Sequence, residues 1–352
     1  PRDILDRSER VLEFHHHTRW AERAVPATVR RPLLATARVM FPSCPKVALP
    51  TNLLDLPVST LQLMQQLSDA LPESMRDPPQ DARTLATWLF MSAGVTWPKK
   101  GAGAEVRAWP SAYWTYPCEV YVAIFGIKGI DPGFYHFSAA EFALRKLREP
   151  ADALSLLKRG RPDLEFLKTV PAAMLVSMLP ARASHRFERR GYRFGAVEAG
   201  QLTENLAKVG SALGVRTLTR LRLTDSSMRE LLGLDDQTTY AEEQMVHSMV
   251  VWADAARAPV GAGARSGGPL PAIAREPDAP TEAYGSILAA HQDCVAPGVA
   301  IREIRSPLTN LSPLPSELAR IERRPLGEAI GGLPLSRVLM KHTFAQQFTR
   351  LA

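Results

Sequence analysis

The stretch of this chain best equipped to hold a ligand runs from Arg107 to Phe137, RAWPSAYWTYPCEVYVAIFGIKGIDPGFYHF. It opens on a Pro110-Ser111 turn backed by Arg107. Such a turn can aim main-chain amides at the ring atoms of a flat cofactor, without interference from side chains. Residues 120–125 (VYVAIF) read as a buried strand, Asp131-Pro132-Gly133 as a tight turn, and residues 134–137 as a returning strand. The same residues also suit an ordinary core hairpin. Other reactive residue types are sparse. His15, His16 and His17 are adjacent, so on a helix they point in three directions and form no metal face. Cys44, Cys118 and Cys294 are far apart and odd in number, which argues against a disulfide framework or a zinc site and for a reducing cytoplasm.

Several elements must position that stretch. Residues 1–50 form an N-terminal arm, with a short helix over residues 8–21 followed by prolines that break any long element. The domain proper spans residues 51–254. Ser59 is a plausible N-cap for a helix carrying Leu61, Met64, Leu67 and Leu71. A second helix starts at Asp81, turns Leu85, Trp88 and Leu89 inward and stops at Gly94. Residues 139–148 and 150–159 read as helices, and residues 172–179 (AAMLVSML) as a buried strand. A helix opening near Arg190 carries Leu202, Leu206, Val209 and Leu213 on one face and ends at Gly214; Met245–Trp252 reads as the last central strand. Residues 255–282 form a flexible linker rich in Gly, Pro and Ala. Residues 283–352 form a C-terminal extension, or the start of a second unit like the first.

Composition bounds the function. At 352 residues and 45% apolar content the chain can bury a sizeable core, and no apolar run approaches a membrane span. Its net charge of +7 comes mainly from dispersed arginines without basic-aromatic patterning, so nucleic acid is not expected as a partner.

Three motifs carry a resemblance: Arg-x-x-Pro-Ser-Ala from Arg107, Tyr-Pro-x-Glu-Val-Tyr-Val from Tyr116, and Pro-Gly-Phe-Tyr-His-Phe from Pro132. A fourth segment keeps Tyr192, Arg193, Glu198, Ala199, Gly200 and Asn205 in the order Tyr-Arg-x-x-x-x-Glu-Ala-Gly. Together they resemble the nitroreductase superfamily, and within it the SagB-like azoline dehydrogenases of thiazole/oxazole peptide biosynthesis. The resemblance implies an α+β three-layer sandwich with a mostly antiparallel central sheet flanked by helices. It also implies FMN at a two-subunit interface, in a homodimer or a heterodimer with a paralogous subunit, and a modified peptide or small heterocyclic substrate. The cofactor-binding residues it suggests are Arg107, Pro110, Ser111, Ala112, Arg193, Asn205, Arg220 and Arg222.

The chain also departs from that pattern. No Arg-Arg-Ser-x-Arg element grips a phosphate before the second helix, although Arg76 or Arg83 could substitute. The family's Lys-Tyr pair falls at Arg186 and Phe187, neither of which can serve as a base near neutrality. Tyr192 or His185 would then handle the proton, with His185 the better base by intrinsic pKa. Tyr113-Trp114 replaces the glycine expected after Ala112, and no glycine follows Gly214 in the segment through Leu223. The resemblance therefore leaves two readings open: an FMN-dependent oxidoreductase, or a catalytically degenerate subunit that completes the flavin site of a paralogue. A general nitro- or quinone reductase is a weaker third.

Overall fold

The computed structural model describes residues 9–15, 18, 39–56, 78–97, 105–221, 223–235, 238 and 243–253. The expected helix at Ser59, Arg76, Arg222, the linker and the C-terminal extension lie outside the described residues.

Seven strands form one sheet, in the order β1 (Lys46–Ala48), β6 (Ala143–Arg148), β5 (Gly133–Ser138), β4 (Cys118–Ile124), β7 (Ala172–Met178), β9 (Met245–Trp252), β8 (Thr217–Arg220). Every pairing in it is antiparallel. β2 (Val95–Trp97) and β3 (Val106–Arg107) make a separate two-stranded ribbon. Because strand side chains alternate between faces, β4 feeds two cores at once. Val120, Val122 and Ile124 pack on one face with α1 (Ala82–Ala93) and α4 (Gly191–Ala212). Tyr121, Ala123 and Phe125 pack on the other with α2 (Pro150–Lys158) and α5 (Asp225–Leu231). The three-layer α+β sandwich with its sheet between helices is thus as the sequence led us to expect.

Local chemistry sets the helix bounds. Asp81 caps α1 by accepting the Thr84 N–H at 2.8 Å, and Trp88 donates its indole N–H to the Leu206 carbonyl at 2.7 Å, tying α1 to α4. α4 ends where Gly214 takes φ +80°, the left-handed conformation that glycine adopts without penalty. Leu202, Leu206 and Val209 of α4 are buried, each contributing about 2 kcal/mol by removal from water.

Two expectations are corrected. The helix foreseen over 139–148 is strand β6, whose alternation Ala143-Leu144-Arg145-Lys146-Leu147-Arg148 pairs it with β5 and β1. The turn at Asp131-Pro132-Gly133 is only the end of a longer connection over residues 125–132, in which Gly129 has φ +88°.

The approach of α4 to α3 (Pro180–Phe187) depends on Gly191. A Cβ there would lie 2.3 Å from the Ser184 nitrogen and 2.5 Å from the Ala183 carbonyl carbon, main-chain atoms that cannot swing aside. Gly191→Ala is expected to cost about 2–3 kcal/mol in urea unfolding. A loss below about 0.5 kcal/mol would mean that the two helices part freely.

Candidate functional site

Among the described residues, the turn after β3 carries the densest backbone strain. Tyr113, Trp114 and Tyr116 have φ of 54°, 57° and 40°, left-handed values that cost a residue with a Cβ about 1–2 kcal/mol. Buried groups beneath the turn hold it there. Glu198 reaches from α4, and its Oε1 accepts the Ala112 N–H at 2.9 Å. The Tyr116 N–H donates to Ser111 Oγ at 2.8 Å, and the Thr115 hydroxyl donates to the Ala112 carbonyl at 3.1 Å. The Arg107 N–H donates to the Tyr116 hydroxyl at 3.0 Å, while the Asn205 amide donates to the Ala108 carbonyl at 3.2 Å. Trp109 and Tyr116 meet edge to face at 5.3 Å, and the Arg107 guanidinium lies over both rings at 5.5 and 5.6 Å. Tyr113 and Trp114 are left on the outside, 54% and 39% exposed.

The electrostatics beneath the turn divide into two parts. Burial raises the Glu198 carboxyl to about 7, with the Ala112 N–H and the Ser111 hydroxyl pulling it down. Its Oε2 has no hydrogen-bond partner among the described residues. Next to it lies a charged cluster. Glu119 of β4 is 4% exposed, with Oε2 3.0 Å from His136 Nε2 and Oε1 2.7 Å from Arg182 Nη1. The Arg182 contact is an ion pair without hydrogen-bond alignment; the same nitrogen donates to the Tyr116 carbonyl at 3.0 Å. Burial alone would raise the Glu119 carboxyl, but Arg182, the His136 hydrogen bond and Arg107 together hold it well below the ordinary carboxylate range. Burial likewise lowers the Arg107 guanidinium, with Glu119 opposing.

The structure gathers five of the residues proposed from sequence, Arg107, Pro110, Ser111, Ala112 and Asn205, around this one turn. It also shows that the Ala112 amide is already committed to Glu198, and that the Arg107 side chain is buried against two rings. The others lie apart. Tyr192 meets Phe14 edge to face at 5.9 Å. Arg193 donates from Nε to the buried Thr18 hydroxyl at 2.9 Å and from Nη2 to His15. Both therefore fasten the N-terminal helical stretch to the start of α4. His185 is on α3, with its side chain outside the described ones. Arg220 sits on β8 over Phe166, on the α2/α5 face opposite Glu198 and Asn205. Arg83 donates to the carbonyls of Asn52 and Leu53 at 2.6 and 3.3 Å.

Sequence reasoning assigns no site role to the charged residues that matter most here: Glu198, Glu119 and His136 enter only within motifs, and Arg182 not at all. A signal for Glu198 was available: it lies four residues before Leu202 on the apolar stripe of α4, where a carboxylate demands a partner or a proton. Glu119 and His136 are hidden in strands that read as apolar runs. Among the described residues no His, Cys, Asp and Glu cluster could hold a metal ion, and no helix is long and apolar enough to cross a membrane.

No protein-family model matches the chain. A curated protein of Methanocaldococcus jannaschii named "Putative nitroreductase" is 27% identical over 158 residues, 45% of this chain and 77% of that protein. A crystal structure from Anabaena variabilis with the same name gives a TM-score of 0.46 at 23% identity, covering 69% of this chain and 45% of the other, so the match spans less than half of that relative. A chain of the Escherichia coli microcin synthetase McbBCD complex, with truncated pro-MccB17 bound, gives a TM-score of 0.42 at 19% identity over 70% of this chain and 94% of that one. Over those 158 residues the sequence is similar to a protein named as a nitroreductase.

Proposed function

We propose that this chain is an FMN-dependent oxidoreductase of nitroreductase type, acting on azoline-like rings of a modified peptide or on a related small heterocycle. The observation that carries the reading is the turn over residues 110–116, kept at a backbone cost at Tyr113, Trp114 and Tyr116 and braced from below by Glu198, Arg107 and Asn205. A turn held so firmly suits a flat ring that must lie against it in one orientation. The buried Oε2 of Glu198, without a partner in the described residues, fits a polar ring edge at this place. When bound, FMN would accept a hydride, and this chain would orient the ring and the substrate at the turn.

The phosphate half of FMN fits less well. Arg83, Arg193 and Arg220 are each engaged with other groups of the chain. That favours the second reading, a subunit that completes a flavin site together with a paralogous partner.

The visible absorption spectrum of the purified chain, alone and titrated with FMN, separates the two. Stoichiometric bound flavin on the chain alone is the expected result. Flavin bound only after co-expression with a paralogous subunit would support the partner reading. No flavin under either condition would sink both.

A further inference from the structure

Glu198 is 3% exposed, and its two carboxyl oxygens differ in their surroundings. Oε1 receives the Ala112 N–H, while Oε2 is buried and receives nothing among the described residues. No cation pairs with it there. The titratable groups that face it are the Tyr116 phenol and the Cys118 thiol, with Glu119, Arg182 and Arg107 beyond Cys118. Burial pushes both the phenol and the thiol up, so neither changes charge near neutrality. The Ser111 hydroxyl lies near enough to favour the ionised carboxylate, yet its own bonds run to Thr115 and to the Tyr116 amide. A buried carboxyl with one donor and one open oxygen is half of a receptor: a second donor at Oε2 would complete the solvation of the charged form.

We propose that Glu198 receives a ring N–H of a flat heterocyclic ligand, of imide or amide type, on Oε2, so that uptake of the ligand at the Ser111–Ala112 turn expels a proton to solvent. This rests on the reading of the turn as the ring-binding site. The balance is simple: the carboxylic acid loses its proton to water, the carboxylate accepts the ligand N–H, and no electrons move. Glu198 is then a positioning residue, fixing the turn through one oxygen and the ligand through the other.

The test is isothermal titration of the full-length chain with FMN at pH 6, 7 and 8, in buffers of different ionisation enthalpy, for wild type and Glu198→Gln. Glutamine keeps an acceptor for the Ala112 N–H and cannot titrate, so the difference between the variants removes the titration of the FMN phosphate. Wild type is expected to release more protons than Glu198→Gln near pH 7, and to gain up to about tenfold in relative affinity between pH 6 and 7. A second probe guards against a variant that does not fold: FMN methylated at the ring imide nitrogen lacks the donor, and should bind wild type without the extra proton release. FMN binding with the same proton release and pH profile in both variants would overturn the role of Glu198 and leave the ring site standing; a fixed water on Oε2 would give this result. Net proton uptake by wild type would also overturn it. No FMN binding by either variant would overturn the proposal together with the ring-binding reading.

Discussion

Replacing Glu198 with glutamine is expected to stabilise the folded chain by about 2–3 kcal/mol at pH 8 and to change it little at pH 5. The carboxyl rises from 4.5 to about 7 on folding because burial disfavours its charge. Between those values the folded chain holds a proton that the unfolded chain has given up. The stabilising contribution of Glu198 is therefore complete below pH 4.5 and is lost as pH rises through about 7. Above that, wild type bears the full cost of a buried charge, on the order of 3 kcal/mol for the shift. Glutamine avoids that cost, less something for an amide N–H at the Oε2 position. Urea midpoints of the two variants at pH 5 and 8 would test this, since other groups titrate equally in both. A gain of the same size at both pH values would mean that Glu198 is not the titrating group.

Arg182→Met is expected to act more strongly and in the opposite direction, costing about 3–5 kcal/mol at neutral pH. The substitution removes the cation 2.7 Å from Glu119 and leaves a carboxylate in the sheet with His136 as its remaining close partner. It also strips a hydrogen bond from the Tyr116 carbonyl, at a residue whose φ of 40° needs support. The folded pKa of Glu119 is depressed, so its contribution is present above the ordinary value of 4.5 and is lost only as pH falls through the lower folded value. Neutral pH is thus where removing Arg182 should hurt most. Arg182→Met combined with Glu119→Gln should recover much of the loss, because no unpaired charge remains. A single-variant loss under about 1 kcal/mol, or a double variant no better than the single, would show that water reaches Glu119.

The parts of this fold that were legible in sequence are those where a local rule and the tertiary packing agree. Asp81 and Gly94 bracket α1 because a side-chain cap and a helix stop act within one turn of the chain. β4, β7 and β9 are buried on both faces, so they appear as runs of Val, Ile, Met and Ala. β6 was misread because ALRKLR suits a helix by propensity, and only its neighbours β5 and β1 make it a strand. The site followed the same division. The Pro110-Ser111 turn is written in adjacent residues, whereas the brace beneath it joins Ala112 to Glu198 across a separation of 86 positions. Arg193 is a cofactor-binding candidate by resemblance, yet its side chain is engaged by Thr18 and His15, some 175 positions earlier in the chain.

The strand order has a consequence for how the protein is made. β4 lies between β5, its neighbour in sequence, and β7, while β7 needs β9, whose last residue is Trp252. Trp252 is itself fully buried and meets Trp88 of α1 edge to face. A ribosome adding about 5–20 residues per second exposes the β7 edge, apolar and unpaired, for seconds before its partner arrives. The middle of this sheet is therefore closed by β9, the last strand of the described residues to be synthesised. Until then the nascent chain carries an unpaired apolar edge that is open to aggregation.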